Sequence, residues 1–374
     1  MTAHREWATR PADQRFQTLD ALAANVEARR NRCFAFNEVI GDLDVKVLSD
    51  SSSGTAVDRL VVNGKRAPME FSHWSFGQTC GLAKASASYL RTLPVDLTAK
   101  CLDYSIKHAQ REGMKVMAIR SEDGQTNTLQ AMTSQTYGRI WDADVVGAAK
   151  RIVERSGGRF FNPKAYVKGK FGGATEPSGL YASDRDVFIF MIDGGSLLDV
   201  TGGNGRDQLH RGFFLQNSEV GARTFTLTTF LHRATCGNHI VWGAQDVTKL
   251  IVRHTSGAPG RFDREAMPAL LDYVNASTQP VEDAIRRCRE TSLIKLLNVE
   301  KIDDNFVAGF AKRFNFTKGE VRDAIEAARR EEGDCASLWD ITNGFTACAR
   351  EYEFADARID LENRAGKLLD LSKN

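Results

Sequence analysis

The chain has 374 residues, 42% of them hydrophobic and 9% aromatic, enough for two compact domains and a sizeable buried core. Its 50 basic and 48 acidic residues leave a net charge of +2, which excludes nucleic-acid binding by bulk surface charge but leaves room for a local basic groove. No apolar run approaches the roughly 20 residues of a membrane span, and the opening MTAHREWATRPADQ has no apolar core that would serve as a secretory signal.

In chain order, Phe16, Leu19, Leu22, Ala23 and Val26 fall at helical spacing and predict a helix over 14–32. Strand-like runs follow at 43–48 and 57–62, and the second ends in the turn pair Asn63-Gly64. The stretch 72–109 reads as three short helices, with Ser72 capping the first, Gly81 ending it and Pro94 opening the third. That spacing has two readings, a helix-turn-helix that meets DNA or a helical cluster packed on a sheet. A hairpin is predicted from 114–120 and 126–133, then an amphipathic helix over 141–155 with Val145, Val146, Ala149, Ile152 and Val153 on one side. Strands resume at 186–192, 212–216, 224–233, 239–242 and 248–254. From Asp263 onward the pattern is almost wholly helical, so the α+β body is expected to end near 256–260. The fold class this predicts is α+β: a mixed or antiparallel sheet with packed helices over 1–256, then a helical C-terminal region over 261–374.

Polar side chains are densest over 212–243, GFFLQNSEVGARTFTLTTFLHRATCGNHIVWG. His232, Cys236 and His239 form H-x3-C-x2-H, with His210 upstream, and imidazole and thiolate are good zinc ligands. If 224–233 and 239–242 are strands, His232 and His239 could face opposite sides of a sheet, with Cys236 a small buried hydrophobe and Gly237-Asn238 the turn. A nucleophilic reading takes Cys236 or Ser218 as nucleophile, His232 or His239 as base, and Glu219 or Asn238 to orient it. No G-x-S-x-G surrounds Ser218, and Asn217, Ser218 and Glu219 equally suit a polar strand end that satisfies loop backbone. The Gly-rich loops at 172–179 and 202–205 lack the P-loop ending and the strand-to-helix context of a dinucleotide site, so no nucleotide or other cofactor is expected.

A second concentration is KRIVERSGGRFFNPKAYVKGKFGG, 150–173. Lys150, Arg151, Arg155, Arg159, Lys164, Lys168 and Lys170 stand against the single acid Glu154, with Phe160, Phe161, Tyr166 and Phe171 interleaved. Cations neutralise phosphates and aromatic rings stack on unpaired bases, so this is the composition of a single-strand-binding groove. The plain alternative is a strand with core aromatics and a solvated cationic face.

The stretches WATRPADQRFQTLDAL, HWSFGQTCGLAKASASYLRTLP, LYASDRDVFIFMID and GFFLQNSEVGARTFTLTTFLHRATCGNHIVWGA resemble the phage- and plasmid-borne proteins grouped as domain of unknown function 932. The resemblance runs from about Trp7 to His254, and NSEVG…RATCGNHIVWGA is its most specific part. It implies a gene that travels with mobile elements, and it transfers no activity, fold or catalytic residue. Products in such company often handle nucleic acid, an inference from association and not from a site.

The leading expectation is a non-enzymatic protein that binds or anneals single-stranded nucleic acid, acting as a homo-oligomer. Lys150, Arg151, Arg155, Arg159, Lys164, Lys168 and Lys170 would meet phosphates, and Phe160, Phe161 and Tyr166 would stack on bases. The rival is a hydrolytic or metal-dependent enzyme centred on Asn217, Glu219, His232, Cys236 and His239. A third reading is a scaffold or inhibitor that engages a host protein through the charged C-terminal helices. Seven scattered cysteines without a C-x-x-C pair fit reduced thiols, hence a cytoplasmic location, and no membrane partner is expected.

Overall fold

A computed structural model describes residues 12–50, 57–64, 67–109, 113–122, 124, 126–162, 179–198, 209–233, 238–240, 249–352 and 355–373. Strand β1 (Arg15–Phe16) precedes helix α1 (Leu19–Arg32). The helix starts later than its apolar spacing suggests because Thr18 caps it, its hydroxyl accepting from the Ala21 amide at 3.1 Å.

Strands β2 (Cys33–Val39), β3 (Asp44–Asp50), β4 (Val57–Asn63) and β5 (Met69–Phe71) come next. Helices α2 (His73–Leu82), α3 (Ala87–Leu90) and α4 (Val95–Lys107) lead to the hairpin β6 (Gly113–Arg120) and β7 (Asn127–Ser134). These strands form one six-stranded sheet in the order β2-β6-β7-β5-β4-β3, antiparallel except where β5 runs parallel to β7. Helices α2 to α4 lay Phe76, Cys80, Ala99, Leu102 and Ile106 on this sheet against Met114, Val116 and Ala118. The helical cluster is thus explained by sheet packing. Ser72 caps α2 as its sequence position predicts.

Helix α5 (Asp142–Arg155) connects to a second, eight-stranded sheet, a division into two sheets that local patterning did not reveal. It contains β1, β8 (Phe160–Phe161), β9 (Leu180–Ala182), β10 (Val187–Leu198), β11 (Leu209–Asn217), β12 (Phe225–Arg233), β13 (Asn238–Ile240) and β14 (Lys249–Val252). The main path is β1-β9-β10-β11-β12-β13. Strands β13 and β14 pair with opposite halves of β12, and β8 pairs with β10. One face of this sheet, through Val187, Ile189, Met191, Phe213, Leu215 and Leu227, packs on α1 and α5. The other carries a separate aromatic cluster of Phe188, Phe190, Phe214 and Phe230.

The helical region begins inside that core. Helix α6 (Ala258–Arg261), a π-helical turn (Phe262–Ala266) and α7 (Met267–Asn275) supply Ala258, Phe262, Leu270 and Tyr273 to the central sheet. Helices α8 (Gln279–Glu290), α9 (Leu293–Leu297), α10 (Asp304–Phe314), α11 (Lys318–Glu332), α12 (Leu338–Arg350) and α13 (Ala355–Leu368) then form a bundle. Capping boxes Thr317/Glu320 and Ser337/Asp340 set the starts of α11 and α12. These two helices cross closely enough that a Cβ on Gly344 would lie 2.0 Å from the Ala324 carbonyl oxygen. The bundle core of Phe306, Phe310, Trp339 and Phe345 is continuous with Leu198, Leu209 and Leu231 of the sheet. The C-terminal helices therefore share a core with one end of β10–β12. No described helix is long and apolar enough to cross a membrane.

Candidate functional site

The β11–β12 hairpin carries most of the polar residues singled out in the sequence, and its two ends differ. At one end β11 finishes in Asn217 and a turn leads to β12, with Gly221 at φ +83°, in the left-handed region that favours glycine. Asn217 Nδ2 donates to the Ile140 carbonyl at 2.9 Å and to Asp142 Oδ1 at 2.7 Å. Ser218 Oγ donates to the Arg185 carbonyl at 2.6 Å and accepts from the Ala222 amide at 2.9 Å. Glu219 Oε1 accepts from the Asp142 amide at 2.8 Å. Helix α5 starts at Asp142, and its N-cap residue Trp141 makes no side-chain capping bond. Glu219 supplies the missing acceptor from 77 positions along the chain, where a carboxylate also complements the helix dipole.

The same turn reaches the first sheet. The Val220 carbonyl accepts from Trp74 Nε1 at 3.0 Å and Gln78 Nε2 at 2.8 Å, and the Tyr137 hydroxyl donates to the Ser218 carbonyl at 3.0 Å. Arg29 spans the same boundary, bonding Gln130 Oε1 of β7 and the Ser183 carbonyl beyond β9. Asn217, Ser218 and Glu219 are thus the joint between the sheets, with Asn217 Nδ2, Ser218 Oγ and Glu219 Oε1 each bonded to backbone.

Asp142 and Glu219 are 4% and 3% exposed. Desolvation pushes both carboxyls above their ordinary range, and for Asp142 the nearby Glu219 adds to the rise; Arg29 and Arg139 act on Glu219 in the opposite sense. Glu219 Oε2 and Asn217 Oδ1 are buried without a hydrogen-bond partner. Burial, with Glu219 adding, raises the Cys33 thiol to about 11, which makes it a poor nucleophile at neutral pH. His254 is pushed down by burial; its Nδ1 meets the Gly138 carbonyl at 3.0 Å and its ring stacks on Tyr137. Sequence reasoning missed Asp142, Arg139, Tyr137 and His254 because nothing local marks residues so far apart in the chain as neighbours. Raised carboxyl pKa values suit acid–base chemistry, but substrate must reach them. A cavity of about 490 Å³ lies elsewhere, lined by Phe71, His73, Phe76, Arg91, Leu93 and Val95, and none of the joint residues lines it.

At the other end of the hairpin, His210 pairs in register with His232, and His232 with His239 of β13. Direct pairing corrects the expectation that His232 and His239 fall on different faces. At about 3.3 Å per residue, the strand puts this row some 20 Å from Asn217. The single centre drawn from Asn217, Ser218, Glu219, His232 and His239 is therefore not built by this fold. Cys236 lies outside the described residues, as do the side chains of His232, Asn238 and His239. Among the described residues no group of three His, Cys, Asp or Glu is placed to hold a metal.

The basic-aromatic tract divides as well. Arg151 and Arg155 are exposed on α5, and Lys150 pairs with Asp20 at 2.6 Å. Arg159 makes a 3.2 Å salt bridge to the buried Asp193. Phe160 is 3% exposed and packs on Phe213, which corrects its expected role as a stacking residue: it belongs to the core. Phe161, pointing the other way along the strand, is 48% exposed. Lys164, Tyr166, Lys168 and Lys170 lie outside the described residues. Compared with protein-family models, curated proteins and solved structures, the chain matches none.

Proposed function

We propose that the protein binds single-stranded nucleic acid without catalysing a reaction on it, as a homo-oligomer carried by mobile elements. One observation carries this reading. The exposed Arg151 and Arg155 lie four residues apart on α5, and the exposed Phe161 follows on β8, where the sequence enters the Lys-rich run up to Lys170. Cations that can meet phosphates and an aromatic ring able to stack on a base are the two kinds of group such binding requires. The separation of the joint from the histidine row removes the main geometric support for the rival hydrolase. The scattered cysteines without a C-x-x-C pair are the basis for proposing a reducing, cytoplasmic setting.

Fluorescence anisotropy with a short labelled single strand at two salt concentrations tests the proposal. Binding should weaken with salt, and Arg151→Ala with Arg155→Ala should lower the salt slope by about 1.4, at roughly 0.7 per phosphate contact. Phe161→Ala should cost about 1–3 kcal/mol of affinity. Absence of salt-dependent binding at micromolar protein would sink the idea.

A further inference from the structure

The cavity of about 490 Å³ opens where α2, α3 and α4 meet the end of β5, away from both ends of the β11–β12 hairpin. Phe71, Phe76, Leu93 and Val95 form its apolar walls. Phe76 is 7% exposed and meets Phe71 edge-on, with ring centroids 5.7 Å apart. Phe71, Leu93 and Val95 are only half-buried, so the cavity leaves apolar surface in water that an occupant would cover.

The polar groups of the lining are of two kinds. The hydroxyls are spent within the fold: Ser72 Oγ donates to Ser75 Oγ at 3.0 Å and accepts from the Ser75 amide at 3.1 Å, and Thr98 Oγ1 donates to the Leu90 carbonyl at 2.9 Å. Arg91 is not spent. Its guanidinium carbon lies 5.0 Å from the centroid of the Phe76 ring, and its Nη2 donates to the His73 carbonyl at 2.9 Å. Stacking on an aromatic face and one backbone bond hold the planar fork in place while most of its five donors are left for a ligand. No acidic side chain lines the cavity. Among the described residues no carboxylate pairs with Arg91.

A fixed guanidinium above apolar walls selects for charge and shape together. A planar carboxylate accepts two parallel N–H bonds from such a fork, and its single charge is balanced by one cation. A phosphate monoester carries close to two charges and would find only one guanidinium here. The cavity is about three times the roughly 150 Å³ that encloses one benzene, which leaves room for a two-ring apolar body. We propose that this cavity binds a small amphipathic monocarboxylate, an aromatic or branched aliphatic acid, with its carboxylate on Arg91 and its apolar body against Phe71, Phe76, Leu93 and Val95.

The test titrates the full chain with 2-naphthoate, followed by broadening of the probe's proton NMR signals. Saturable binding with a dissociation constant of about 1 mM or tighter is expected for a ligand of this size. The neutral 2-naphthylmethanol, which keeps the rings and lacks the charge, should bind at least about tenfold more weakly, the worth of a hydrogen bond to a charged group. Acetate, which keeps the charge and lacks the rings, should not displace the probe at equal concentration. Arg91→Ala should weaken 2-naphthoate at least about tenfold and leave the alcohol nearly unchanged. Should that variant fail to fold, Val95→Glu decides: it sets a carboxylate in the wall at the first position of α4, which a helix dipole tolerates, and should weaken the acid in the same way. No saturable binding up to about 10 mM, equal binding of acid and alcohol, or an affinity for the acid that the deciding variant leaves unchanged overturns the proposal.

Discussion

The two ends of the β11–β12 hairpin hold similar densities of polar side chains and use them differently. At the joint, Asn217, Ser218 and Glu219 satisfy backbone groups of α5 and of the loops around Arg185 and Ala222. At the outer end, the one described side chain, His210, makes a single bond to backbone, and its row repeats the same residue type on three strands. The first pattern is a structural fastening, where buried polar groups are costly unless paired. The second is a repetition of one residue type in register across three strands. Polar density alone does not distinguish them; the identity of each hydrogen-bond partner does.

Four measurements would sharpen or break this contrast. The largest effect is expected at Glu219→Ala, which removes the cap of α5 and leaves Asp142 buried beside a void, and should cost about 3 kcal/mol in urea unfolding. A loss within a few tenths of a kcal/mol would mean that the joint does not depend on this carboxyl. Asn217→Ala should follow, at about 2 kcal/mol, from loss of its bonds to Ile140 and Asp142. His210→Ala should cost only about 1 kcal/mol, the net worth of its one hydrogen bond to the Asp193 carbonyl. A cost equal to that at Glu219 would make the outer end a fastening too.

The smallest effect concerns pH. The folded-state carboxyls of Asp142 and Glu219 lie above their ordinary values of 3.8 and 4.5, so the folded state holds protons more tightly than the unfolded chain. Their contribution to stability is fully present below those ordinary values and is lost as pH rises through the raised ones. Glu219→Gln keeps an acceptor for the Asp142 amide and removes the titration. Its stability relative to wild type should therefore improve from about pH 4.5 upward, read as the shift in urea midpoint. An unchanged difference across that range would show that Glu219 titrates normally.

Much of the fold was legible from the chain. Apolar residues at helical spacing marked α5, a helical pattern marked the C-terminal helices, and strand-like runs marked the hairpin β6–β7 and the strands β11 and β12. Phe160 and Phe161 show where reading stopped: adjacent aromatics in a basic tract look alike, and only pairing with β10 decides which enters the core. The candidate site was legible as a list of residues and not as an arrangement. His232, His239 and Glu219 were all singled out, while the strand that parts Glu219 from the histidines carries no local mark of its register.

The sequence by itself determined the α+β class, the helical character from Asp263 onward, and most element positions, because these follow from periodicity and capping among near neighbours in the chain. Tertiary structure alone decided that there are two sheets, that Glu219 caps a helix beginning at Asp142, and that three histidines share one row. Those outcomes depend on strand register and on the satisfaction of buried polar groups between residues tens of positions apart, and neither leaves a periodic trace in the chain.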